Sequence, residues 1–130
     1  MKAFVDTNVF VASLIEEPGR GDVATEFLNG NHDFCTSILN LMEIRSVMTK
    51  KKQTEQDRVE SVLDDIAESV EVYGPEISDR VTAYKRQRDS LLYTMDCVLL
   101  ALADDVDATF VTFDGELLDH GGVAPSNVRA

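Results

Sequence analysis

Short apolar runs alternate with stretches of helical periodicity along the whole chain, and this alternation constrains the fold more than any other feature. Lys2 to Asp6 reads as a short buried strand, Ala-Phe-Val, followed by a helix from Thr7 through Val9, Phe10 and Leu14. The stretch Glu16-Glu17-Pro18-Gly19-Arg20-Gly21 breaks that helix. Asp22 to Leu28 resumes as an amphipathic helix closed by Asn29-Gly30, and Phe34 to Thr36 forms a second strand. Ser37 is placed to cap a third helix, striped by Leu41, Ile44 and Met48 and ending in Lys50-Lys51-Lys52, which suit its dipole. Thr54, with Asp57 three residues on, is the expected cap of a fourth helix, whose face is Val59, Val62, Leu63 and Ile66.

Val70 to Tyr73 supplies a third strand, stopped by Gly74-Pro75. Glu76 to about Asp89 forms a helix with Ile77, Val81 and Tyr84 on one side. Thr94 to Ala103 is the most apolar helix, with Met95, Val98, Leu99 and Leu102 expected inward. The β-branched and aromatic run Thr109 to Phe113 is a strand. Val123 to Val128 is the weakest strand candidate, because Pro125 cannot donate to a ladder. Strands alternating with helices imply an α/β fold, a parallel sheet with helices on both faces. With 130 residues, the chain suffices for one domain, residues 1–130, and is too short for two. In such sheets, sites form beyond the carboxyl ends of the strands.

Four acids fit that geometry. Asp6 follows Phe4-Val5, Glu43 sits between Met42 and Ile44, Asp96 between Met95 and Cys97, and Asp114 after Thr112-Phe113. A carboxylate against a core is costly unless a charge or hydrogen bonds compensate it. Each acid has a bland alternative: Asp6 as the N-cap of the helix at Thr7, Glu43 as a solvated helix acid, Asp96 as a first-turn acid, Asp114-Gly115 as a hairpin turn. The residues Glu116-Leu117-Leu118-Asp119 do not alternate like a returning strand, and one divalent cation accounts for all four acids together. Oxygen donors without cysteine or histidine point to magnesium or manganese. Asn8 and Thr112 are candidates to add neutral oxygens, with Ser37 and Asn40 as candidate orienters of Glu43. Such a site suits attack of activated water on a phosphodiester.

Charge narrows the partners. Twenty-four Asp and Glu against 12 Lys and Arg give a net charge of −12, which opposes general coating of nucleic acid without excluding a local site. The acidic excess also suggests a halophilic source, since screening shortens to about 3 Å at molar salt. Because cations are few, Arg20, Lys50 to Lys52, Lys85, Arg86 and Arg88 stand out as possible RNA phosphate contacts, against the alternative of solvated helix ends. Cys35 and Cys97 lie in apolar segments and share no metal-site spacing with His32 or His120, so both are expected as buried free thiols. The strand-like start and the lack of a membrane-length apolar run predict a cytoplasmic location.

The order and spacing of Phe4-Val5-Asp6-Thr7-Asn8, Glu43, Asp96 opening Asp-Cys-Val-Leu-Leu-Ala-Leu-Ala, and Thr112-Phe113-Asp114 resemble a PIN-domain ribonuclease, most closely the VapC-like toxins of toxin–antitoxin pairs. That resemblance implies a three-layer α/β/α sandwich with a short, mainly parallel sheet, and a magnesium- or manganese-dependent endonuclease acting on RNA. It also implies a homodimer and a cognate antitoxin whose tail covers the active site. By position, Asp6, Glu43, Asp96 and Asp114 would bind the metal, supported by Asn8 and Thr112. The family often has a further Asp two residues after the last acid; Glu116 stands there instead, as a secondary candidate. A haloacid-dehalogenase-like phosphatase would need an Asp where Asn8 stands, and the clustered acids and later lysine of a receiver domain are not evident. The readings left beside a toxin are a non-catalytic RNA- or protein-binding PIN-like module and a PIN nuclease of RNA processing.

Overall fold

The computed structural model describes residues 1–128. Its sheet contains β1 (Lys2–Val5), β2 (Asp33–Ser37), β3 (Glu71–Tyr73) and β4 (Thr109–Val111), all parallel, in the order β3-β2-β1-β4. Register pairs Phe4 with Cys35 on one side and with Phe110 on the other. Successive strand residues face opposite layers, as the pleat requires. Ala3, Val5 and Val111 pack with α1 (Thr7–Leu14), α2 (Gly21–Leu28), α3 (Ile38–Ser46) and α4 (Gln56–Ser69). Phe4, Cys35 and Phe110 pack with α5 (Ile77–Ser90), α6 (Thr94–Asp105) and α7 (Gly115–Leu118) on the other face. Phe4 and Phe110 stack there, centroids 5.5 Å apart. The architecture is therefore an α/β/α sandwich with two cores, and both cysteines are buried free thiols.

From β1 the chain steps outward to β2 and β3, then returns to place β4 on the other side of β1. That reversal opens a crevice beyond the carboxyl ends of β1 and β4, the usual place for a site in an open parallel sheet. Gly122 lets the segment after α7 close against it: a Cβ there would lie 2.8 Å from the Leu117 carbonyl oxygen and 3.0 Å from Thr112 Cγ2.

Several local expectations change. Helix α4 begins one residue after Glu55, and Thr54 makes no cap; its backbone N–H instead bonds the Met48 carbonyl at 2.9 Å, tying it to the preceding turn. The third helix does not run on as α-helix to Lys52 but widens into a π-helical turn over Val47–Lys51. Asp114-Gly115 is no hairpin, because Asp114 caps α7. In the tail Val123 bridges Val111 and Pro125–Asn127 forms a short 3₁₀ turn, so no fifth strand forms among the described residues. On α5, Asp79 and Ala83 are buried whereas Ile77, Val81 and Tyr84 face solvent; Asp79 is turned back into a capping box with Glu76. Met95 is likewise 40% exposed rather than inward.

Candidate active site

Asp6 is the residue at which β1 becomes α1. Its backbone N–H bonds the Val111 carbonyl at 2.9 Å, continuing the ladder to β4, and its side chain caps α1 by accepting from Thr7 N–H at 2.8 Å. The capping alternative is thus true of Asp6, but it uses only part of the carboxylate. The same Oδ1 accepts weakly from Asn40 Nδ2 at 3.4 Å, while Oδ2 accepts from the Thr112 hydroxyl at 2.8 Å and Asn8 Nδ2 at 3.3 Å. Asn8 also accepts the Phe113 N–H at 3.1 Å, and Thr112 Oγ1 accepts the Asp114 N–H at 3.0 Å. Residues following β1 and β4 are therefore tied together around one buried carboxylate.

Ser37 and Asn40 serve this network rather than Glu43. The Ser37 hydroxyl donates to Asn40 Oδ1 at 2.6 Å and accepts the Asn40 N–H at 3.1 Å, which directs Asn40 Nδ2 to Thr7 Oγ1 at 3.1 Å and to Asp6. Asn40 is buried at the inner start of α3, whereas Glu43, three residues on, is exposed.

Asp6, Glu43, Asp96 and Asp114 line one cavity of about 530 Å³ across the crevice. Burial pushes the Asp6 carboxyl up to about 6; bonds from Thr112 and Thr7 oppose the rise, and the charges of Glu43 and Asp96 add to it. Asp96 is also raised, by burial first and then by Asp114, Glu43 and Glu116. None of the four acids has a Lys or Arg ion pair among the described residues. The acids thus repel one another, and the cations that line the same cavity, Arg20, Lys51 and Lys52, stand beyond ion-pair distance of all four.

This donor set fits a hard divalent ion: all oxygen, with no nitrogen or sulfur ligand. Among the described residues no three His, Cys, Asp or Glu side chains are gathered closely enough, as they stand, to hold a metal ion. The arrangement is open, with Asp6 buried as its floor and Glu43 and Asp114 exposed at its rim. Glu116 lies outside the cavity lining, and its N–H bonds Asp114 Oδ1 at 2.9 Å.

Of the candidate phosphate contacts, Arg20 lines the cavity, with its guanidinium 5.2 Å from the Phe113 ring centre; Lys51 and Lys52 line it too. Lys85 and Arg88 border a different concavity with Tyr84 and Leu91. Arg86 is paired with Asp104, and Arg88 with Asp89. Sequence reasoning missed Tyr93 and Met95, which also line the acidic cavity. The available signal was their position just before Asp96, at the start of an apolar helix.

No curated protein matches the chain. Among solved structures, it superposes on the VapC20 toxin of Mycobacterium tuberculosis, described as cleaving the sarcin–ricin loop, with a TM-score of 0.78 at 20% identity, over 93% of this chain and 96% of that one. A toxin–antitoxin complex from Klebsiella pneumoniae gives a TM-score of 0.74 at 18% identity, over 97% and 99%. VapBC2 of Rickettsia felis, bound to a promoter DNA fragment, gives 0.68 at 20% identity, over 92% of each chain. At these identities the likeness establishes the fold. The PIN domain pattern matches residues 3–122, and the chain belongs to the PIN domain family.

Proposed function

We propose that this chain is a metal-dependent endoribonuclease and the toxin of a toxin–antitoxin pair. The observation that carries the reading is the gathering of Asp6, Glu43, Asp96 and Asp114 along one cavity at the sheet's topological reversal, none of them ion-paired with Lys or Arg among the described residues. Asp6, Glu43, Asp96 and Asp114 would hold magnesium or manganese. When bound, such an ion polarises the phosphodiester and makes water a stronger nucleophile. The chain's own residues do the positioning. Thr112 and Asn8 hold the Asp6 carboxylate from the β4 side, and Thr7 and Asn40 hold it from the helical side. Arg20, Lys51 and Lys52 line the same cavity, where a phosphate backbone would meet them.

The toxin role draws support from the fold shared with toxin–antitoxin complexes. A partner protein is further supported by Ile77, Val81, Tyr84 and Leu91, apolar side chains left exposed along α5 and just past its end. We assign that partner role to the cognate antitoxin and to a second copy of the chain. No helix among the described residues is long and apolar enough to cross a membrane, and we assign the activity to the cytoplasm as part of the same reading. The net charge of −12 is read as adaptation to concentrated salt.

Cleavage of total RNA by the purified protein tests this function, with manganese, magnesium or chelator, from low to molar salt, beside Asp96→Asn. Discrete fragments that need metal and vanish in the variant are expected. Intact RNA under every condition would overturn the nuclease reading.

A further inference from the structure

We propose that Tyr93 is a stacking platform for a base of the bound RNA strand, a positioning residue beside the four acids that fixes where the strand lies. The inference rests on the nuclease reading and adds how the substrate is held. Tyr93 is 77% exposed, precedes α6 directly, and lines the cavity with Asp96, three residues on. Exposure alone would mean little, because single aromatic rings often face water. Here the ring stands on fixed backbone. Leu92 before it is 3% exposed, and the Tyr93 carbonyl accepts the Cys97 N–H at 3.1 Å in the first turn of α6. Its phenol has no hydrogen-bond partner among the described residues.

Charge complementarity selects the occupant. Arg20, Lys51 and Lys52 reach the same cavity from the helical layer on the other face of the sheet. Lys51 ends the π-helical turn, and neither lysine has an ion pair among the described residues. An aromatic face on one side and Lys51, Lys52 and the Glu17-paired Arg20 on the other, with carboxylates between, match a base, its neighbouring phosphates and the reacting centre. In an A-form duplex the base faces are covered by their neighbours, so only an unpaired nucleotide can use the ring. Stacking also suits a chain of net charge −12, because it survives salt that screens phosphate contacts.

The test is the affinity of a labelled oligoadenylate RNA of about 12 nucleotides, a length within the usual span of single-strand sites, and of a duplex of equal length. Binding is measured with calcium replacing magnesium, for wild type, Tyr93→Phe and Tyr93→Ala. Tyr93→Ala should bind the single strand about 5- to 150-fold more weakly, while Tyr93→Phe stays within about twofold, since stacking needs the ring and not the hydroxyl. Because the chain contains no tryptophan, Tyr93→Trp gives a second readout, a single indole whose fluorescence the bound RNA should quench. Wild-type affinity in Tyr93→Ala, equal losses in the Phe and Ala variants, or preference for the duplex would each overturn the platform. If wild type still cleaves total RNA in that event, the nuclease reading stands and the ring belongs to a protein contact. If wild type neither binds nor cleaves, both readings fall.

Discussion

Asp6 and Glu43 bring the same charge to the same cavity from very different surroundings. Asp6 is 6% exposed and accepts hydrogen bonds from Thr7, Asn8, Asn40 and Thr112. Glu43 is exposed on α3 and has neither hydrogen bond nor ion pair among the described residues. The floor of the site is thus fixed by the fold itself, because the bonds that orient Asp6 also tie β1, α3 and the segment after β4 together. The rim is free to adjust to what binds. Changes at the floor should therefore register in stability, and changes at the rim in chemistry alone.

The largest effect separates these two classes at the rim. Glu43→Gln and Asp96→Asn should each lower RNA cleavage on the order of 1,000-fold, since Lewis-acid stabilisation of a phosphoryl transition state is worth several kcal/mol. For exposed Glu43, unfolding free energy should stay within about 0.5 kcal/mol of wild type. Excess manganese should recover part of the activity, because a lost ligand weakens metal affinity. A Glu43→Gln protein that unfolds early would dissolve the distinction between floor and rim.

Asp6→Asn probes the floor. The folded-state pKa of Asp6, about 6, lies above the ordinary 3.8, so ionisation costs the folded chain stability above pH 6, and the cost disappears as pH falls from about 6 towards 3.8. With chelator present, Asp6→Asn should be more stable than wild type at pH 7 by up to about 3 kcal/mol, with the advantage fading by about pH 4. Denaturant unfolding of both proteins across that range measures it. An advantage that grew on acidification would contradict the assigned cause.

Thr112→Val keeps the side chain's shape but removes the hydroxyl that donates to Asp6. Loss of a supporting bond of this kind should weaken manganese binding about 10- to 100-fold, read by titration. Salt gives the smallest and most diffuse effect. Raising KCl from about 0.1 to 1 M shortens the screening length from about 10 to 3 Å and should raise the unfolding midpoint. The difference between wild type and Asp6→Asn should persist, because burial, the largest cause of the Asp6 shift, is not screened. Falling stability with KCl would remove the halophilic reading.

Much of this organisation is visible in the sequence where a local signal coincides with a structural need. The Ser37 cap, the Asn29-Gly30 stop and the buried apolar run Ala-Phe-Val each act within a few residues, and the corresponding elements form there. The π-helical turn is hidden because Leu41, Ile44 and Met48 keep ordinary helical spacing into it. The outward apolar side of α5 is equally hidden, since periodicity identifies a stripe but not what covers it. At the site, acid positions can be read from interrupted apolar runs. The partner of Asn40 cannot, because it lies 34 residues back and depends on how α3 meets β1. Arg20 stands alone in the sequence and Lys85 clusters with Arg86 and Arg88, yet only the tertiary fold shows that Arg20 is the one brought to the acids.

The central claim is that one divalent ion site joins floor and rim, and manganese titration calorimetry on wild type, Asp6→Asn and Glu43→Gln tests it most directly. The account predicts saturable binding in wild type and marked weakening in both variants, although their carboxylates lie on different elements and differ in burial. Binding that survives both substitutions, or none to wild type at millimolar manganese, would contradict it.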